Sequence, residues 1–190
     1  MNILCSVCYD GSQFSGWQVQ PNKITIQSTI EDALSKIYGA QIKTIVAGRT
    51  DAGVHSLNNY FNFKVPKNSI PLSKLPVIIN NKLPESIRIL TAIEKSEDFS
   101  ARYNCNRRIY EYRIVVGPKN PFLHNYRLFI PKQLNIAAMN SAAKLLIGTH
   151  NFAGFRSIDC NAKTSIRTVY ESRVFQETDE IIFHIEANAF

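Results

Sequence analysis

Residues 3–10, ILCSVCYD, open the chain with a nearly continuous apolar run of strand length. The period then changes. Ile26, Ile30, Leu34 and Ile37 recur at three- and four-residue intervals, which predicts a helix with one apolar face, capped by Thr25 and stopped by Gly39. Residues 42–47 read as a strand. In residues 59–65, Phe61, Phe63 and Val65 alternate with Tyr60, Asn62 and Lys64, the period-two signature of another strand. Leu72, Leu75 and Ile79 predict a short helix, which Pro76 confines to its first turn or kinks. After the connection at residues 66–70 and that helix, residues 86–93 return to strand. Strand, helix, strand, strand, helix, strand is the order of the split β-α-β, ferredoxin-like unit, an antiparallel sheet with its helices on one face.

The charged run at residues 94–98 is the best boundary, dividing the chain into 1–98 and 99–190. In the second part, Tyr110, Tyr112, Ile114 and Val116 share one face of a strand at residues 109–116. Residues 117–121 turn. Asn135 caps a helix carrying Ile136, Met139, Ala143 and Leu146, expected to end at Gly148. Residues 149–165 are polar and loop-like, and residues 167–176 and 181–189 form the last two strands. The pattern predicts an α+β fold.

Composition narrows the class. With 190 residues, 45% of them hydrophobic, the chain suits one large or two small globular domains. No apolar run approaches the ~20 residues of a membrane span, and the N-terminus lacks a signal-peptide pattern, so a cytoplasmic location is expected. Cys5 and Cys8 have C-x-x-C spacing, but on a strand residues three apart point to opposite faces, so the pair cannot share a metal. They are read with Cys105 and Cys160 as reduced structural cysteines. The net charge of +7 is concentrated: residues 99–132 hold seven Lys and Arg against one acid, Glu111. Arg102, Arg107 and Arg108 lie there among Tyr103, Tyr110 and Tyr112, a mixture that suits phosphate contacts and base stacking on RNA. A solvated basic strand with ordinary core aromatics is the plainer alternative.

The stretch with most chemical content is residues 47–63, AGRTDAGVHSLNNYFNF. Gly48 and Gly53 bracket Arg49 and Asp51, which puts Asp51 on a tight connection between two strands. A carboxylate there is either a turn former bonding its own backbone or a nucleophile kept ionised by the neighbouring cation. His55 is read as a structural hydrogen-bonder. Trp17, Phe152 and Phe155 are read as packing residues.

These blocks resemble a known family. G-R-T-D-A-G-V-H at residues 48–55 is similar to the catalytic motif of the TruA-type tRNA pseudouridine synthases, and Y-D-G-S-Q-F-S-G-W-Q-V-Q at residues 9–20 to their N-terminal motif. F-S-A-R-Y at 99–103, R-R-I-Y-E-Y at 107–112, H-N-F-A-G-F-R at 150–156 and E-A-N-A-F at the end match in order. The resemblance implies two ferredoxin-like units flanking a central RNA-binding cleft, and isomerisation of uridine on the 3′ side of the tRNA anticodon stem–loop. It implies Asp51 as nucleophile, Tyr110 stacked on the target base, and Arg49 holding the flipped-out nucleotide. It implies tRNA as partner, a homodimer, and no metal or other cofactor, since the reaction is neither hydrolysis nor a redox change. Family members continue into a helix whose Met-Val-Arg run supplies an arginine to the aspartate. Here the sequence ends at Phe190, so the second unit is expected to be incomplete. The rival expectation is a non-catalytic RNA-binding protein that keeps the fold.

Overall fold

The computed structural model describes residues 1–67, 69–156 and 164–190. The chain divides into two compact units, Met1–Cys105 and Asn106–Phe190.

The first unit runs β1 (Asn2–Tyr9), α1 (Ile26–Tyr38), β2 (Thr44–Val46), β3 (Ser56–Lys64), α2 (Leu75–Asn80) and β4 (Ile87–Lys95). The sheet order is β2-β3-β1-β4, every pair antiparallel. Alternation makes the core: Ile3, Cys5, Val7 and Tyr9 of β1 and Phe61 and Phe63 of β3 meet Ile26, Ile30 and Leu34 of α1 and Leu75 and Ile79 of α2. Thr25 caps α1 by accepting from the Ser28 amide, and Gly39 ends it at φ 65°. Pro76 sits in the first turn of α2, where no helical N–H is missed.

The opposite face of this sheet is also covered. Leu4 packs with Ala47 and Ala101 there. Asn62 donates from Nδ2 to Asn2 Oδ1 at 2.8 Å and accepts the Ala101 amide at 2.8 Å, while Asn2 Nδ2 donates to the Ser96 and Phe99 carbonyls at 2.9 Å each. Residues 99–105 are thereby tied to the first unit. Cys5 lies in the core and Cys8 leaves the other side of the strand, so the two do not meet.

The second unit runs β5 (Arg108–Val116), β6 (Leu128–Ile130), α3 (Ile136–Lys144), β7 (Gly148–Asn151), β8 (Ile166–Glu177) and β9 (Glu180–Ala187). Its sheet order is β6-β5-β9-β8-β7, antiparallel except for the β5–β6 pair. Ile114, Ala143, Val174 and Ile181 form a small core with Met139 and Phe183. Beside it an apolar groove of about 450 Å³ opens between α3 and the sheet, lined by Tyr112, Met139, Leu146 and Phe183.

Three expectations change here. The helix α3 ends at Lys144 with Leu145 as its cap, and Gly148, at φ 111°, instead opens β7. Residues 149–165 are not all loop: β7 and a 3-10 turn at Ala153–Phe155 lie within them, while residues 157–163, with Cys160, fall outside the described residues. Asn68 of the 66–70 connection does so too. The strand β6 was not expected, because three residues paired at an edge leave no periodic trace.

Candidate active site

The loop joining β2 to β3 carries Arg49 and Asp51, both exposed. A backbone bond from the Val54 amide to the Asp51 carbonyl, 3.2 Å, closes a turn in which Gly53 takes φ 78°. Main-chain atoms make this turn, so the turn-forming role weighed for the Asp51 side chain is not the one it plays. Among the described residues its carboxylate joins no hydrogen bond or ion pair. Arg49, expected as the neighbouring cation, makes no ion pair with it, and both groups are exposed.

Residues 9–17 clamp the loop from below. The Trp17 amide donates to the Thr50 carbonyl at 2.9 Å and the Gly53 amide to the Phe14 carbonyl at 3.3 Å. Gly16 has φ 86°, and a β-carbon there would stand 2.7 Å from the Thr50 carbonyl oxygen and 3.1 Å from the Asp51 carbonyl carbon. A β-carbon on Gly11 would overlap the Val54 carbonyl. The two glycines let one main chain lie on the other. Trp17, wholly buried against Tyr9 and Phe61, anchors the clamp in the core as expected of a packing residue.

His55 Nδ1 lies 3.1 Å from the Gly11 amide and 3.0 Å from Asp10 Oδ1. It accepts from the amide through its lone pair or donates to the carboxylate when protonated, never both at once. Either way it links the two loops. Asn59 on β3 donates to the Gly48 carbonyl at 2.9 Å and to the Tyr9 hydroxyl at 3.3 Å, and that hydroxyl lies 2.9 Å from Thr50 Oγ1. Sequence reasoning missed Tyr9, Thr50 and Asn59 in this setting. No period marks them, because their partners are 41 and 50 residues away.

The other candidates stand elsewhere. Arg102 is exposed in the first unit, its guanidinium 5.5 Å from the Tyr103 ring. Tyr110 is on β5, half-buried, edge-on to Phe190 at 4.9 Å. Arg107 pairs with Glu186 at 2.6 Å and lies over the Tyr170 ring, whereas Arg108 donates to the Asn188 carbonyl at 2.7 Å. Arg107 stands just before β5 and Arg108 opens it, and the two have separate partners.

The basic segment is also less bare than its charge count implied. Arg113 bonds Glu111 and Glu180, and Arg127 bonds Glu180 at 2.5 Å. Arg102, Lys119 and Lys132 join no carboxylate among the described residues. Phe152 packs edge-on to both His150 and Phe155, although Phe155 itself is 81% exposed.

A group with metal-ligand chemistry, Glu171, His184 and Glu186, lies on the face of the β8–β9 pair that carries these ion pairs. Arg173 at 2.7 Å from Glu171 and Arg107 on Glu186 already supply positive charge to both carboxylates, so the set works as an ion-pair network of the sheet. Among the described residues no helix is long and apolar enough to cross a membrane.

A family model described as tRNA pseudouridine synthase matches residues 6–104 and 142–190. Over 190 residues the chain is 44% identical to the tRNA pseudouridine synthase A of Caldicellulosiruptor bescii, covering 100% of this chain and 78% of that protein. It is 38% identical over 189 residues to the protein of the same name from Anoxybacillus flavithermus, covering 99% of this chain and 76% of the relative. With a relative from a Thermoanaerobacter species the identity is 39% over 191 residues, covering 100% and 78%. The first matched segment contains the Asp51 loop and its clamp, and the second contains β7, β8 and β9. The chain belongs to the tRNA pseudouridine synthase family.

Proposed function

We propose that this protein isomerises uridine to pseudouridine in tRNA, on the 3′ side of the anticodon stem–loop, with Asp51 as the attacking carboxylate. The bond from ribose to N1 breaks, the uracil turns within the site, and C5 bonds to the ribose in its place. C5 gives up its proton and N1 takes one up from solvent, so composition and net oxidation state are unchanged and the chemistry calls for no cofactor. It calls for a carboxylate that can reach a nucleotide drawn out of its helix. The observation that carries the reading is the state of Asp51: an exposed carboxylate, unpartnered among the described residues, on a loop pinned from below by main-chain and side-chain bonds.

Tyr110 is assigned to the face of the base and Arg49 to the vacated stack. Arg102, Arg107 and Arg108 are assigned to phosphates, Arg107 exchanging or sharing its Glu186 partner. A homodimer is part of the same reading. The decisive experiment is Asp51→Asn in the full-length protein, assayed on unmodified tRNA. Pseudouridine formation should vanish while tRNA affinity stays within about threefold, since the change removes a nucleophile and no volume. Turnover near the parent rate would return Asp51 to a structural role and favour an RNA-binding protein without catalysis.

A further inference from the structure

We propose that Asn59 is a positioning residue for Asp51, acting through Tyr9 and Thr50 as one hydrogen-bonded brace; the inference rests on the reading of Asp51 as the nucleophile. Asn59 stands on β3, outside the loop, and its amide is fully committed. Its Oδ1 accepts the Tyr60 amide at 2.8 Å, which fixes the end that is oxygen. Its Nδ2 then faces the Gly48 carbonyl and the Tyr9 hydroxyl. The Tyr9 hydroxyl that receives that bond also shares one of 2.9 Å with Thr50 Oγ1, in which either oxygen can donate. Gly48 and Thr50, on either side of Arg49, are thus tied to β3 and β1, the two central strands of the sheet.

The chemical reason lies in what Asp51 lacks. Among the described residues no side-chain bond holds its carboxylate, so it inherits its position from the backbone just before it, residues 48–50. A nucleophile displaced by about 1 Å from its attack geometry loses on the order of a hundredfold in rate. Tyr9 is only 4% exposed, so water does not compete for its hydroxyl, and its bond to Thr50 keeps the strength of a buried one. Arg49 extends between the two braced residues, which sets the direction of the arginine as well.

The test compares Asn59→Ala, Tyr9→Phe and Thr50→Val with Asp51→Asn in the full-length protein, measuring kcat and KM on unmodified tRNA well below each variant's melting temperature. Each brace variant should lose at least about tenfold in kcat with KM within about threefold, the signature of a group acting only in the chemical step. The pair Tyr9→Phe/Thr50→Val should be no worse than its poorer member, because the Tyr9–Thr50 bond is lost in both. Tyr9→Phe and Thr50→Val remove or replace a single oxygen, so they carry the test if Asn59→Ala does not fold. A kcat within about threefold of the parent in Tyr9→Phe and Thr50→Val, or a loss residing wholly in KM, overturns the brace while a dead Asp51→Asn leaves the nucleophile standing. An active Asp51→Asn overturns both.

Discussion

Gly16 shows how little room the site leaves at single positions. Its φ of 86° lies where an L-residue is strained, and an added β-carbon would press on the Thr50 carbonyl, which is backbone and cannot swing aside. Gly16→Ala should therefore destabilise the protein by about 1–2 kcal/mol or more from the dihedral alone. It should also lower kcat beyond that loss of folded protein, because the displaced atoms precede Asp51; a urea melt read beside single-turnover rates separates the two effects. Cys5 presents the opposite case, a nucleophilic atom placed where it cannot act. Burial pushes its thiol up to about 12. At pH 8 it should resist iodoacetamide in the folded protein and react only on unfolding, as peptide mass mapping would reveal.

At the scale of elements, the β5–β9 pair is held on one face by charge. The bond from Arg113 lowers Glu111 below the usual carboxylate range against a smaller opposing effect of burial. Burial raises Glu180, but bonds from Arg127 and Arg113 together outweigh it and leave it lowered as well. Carboxylates depressed on folding stabilise the protein above their unfolded value of about 4.3, and the contribution disappears as pH falls through the lower folded values. Stability should thus fall with acid from roughly pH 4 downward, and the acid limb should be shallower in Arg113→Met, measured by urea midpoint against pH. Parallel limbs would assign acid sensitivity to other groups. In the first unit, Asn62 bridges β3 to residues 99–105 with both ends of its amide buried. Asn62→Ala strands the Ala101 amide and Asn2 Oδ1, and should cost about 1–3 kcal/mol in thermal or chemical denaturation.

Across the whole molecule, the two units differ in how much core they own. The first buries four strands against two helices, while the second packs one helix on five strands and leaves a groove beside it. Hydrogen exchange should be slowest in β1 and β3 and measurably faster in β5, β8 and β9, since fewer apolar contacts must break to open them. Binding of tRNA is also a property of the whole surface. Because Arg113 and Arg127 are paired with Glu111 and Glu180 within the second unit, the seven Lys and Arg of residues 99–132 overstate the cations available to phosphates. Arg102→Ala should flatten the slope of log K against log salt by roughly 0.7–0.9, whereas Arg127→Ala should leave it nearly unchanged. Equal slopes in the two variants would contradict that division of charge.

What the sequence alone determined was local. The period of Ile26, Ile30 and Leu34 and the flanking Thr25 and Gly39 set α1, and alternation through Phe61 and Phe63 set the buried face of β3, because each residue's neighbours there lie within a turn or two. The exposed turn bearing Asp51 was legible for the same reason, as were the motif blocks that matched the family. Tertiary structure decided what depended on distant partners. It showed that main-chain atoms close the Asp51 turn, that Arg49 does not pair with the carboxylate, and that Tyr9, Thr50 and Asn59 meet across the sheet. It also paired Arg113 and Arg127 with Glu180, 67 and 53 residues away, and sent Arg107 and Arg108 to separate partners. A one-dimensional pattern records which face a residue occupies; only the folded chain brings two such faces within the ~3 Å of a hydrogen bond.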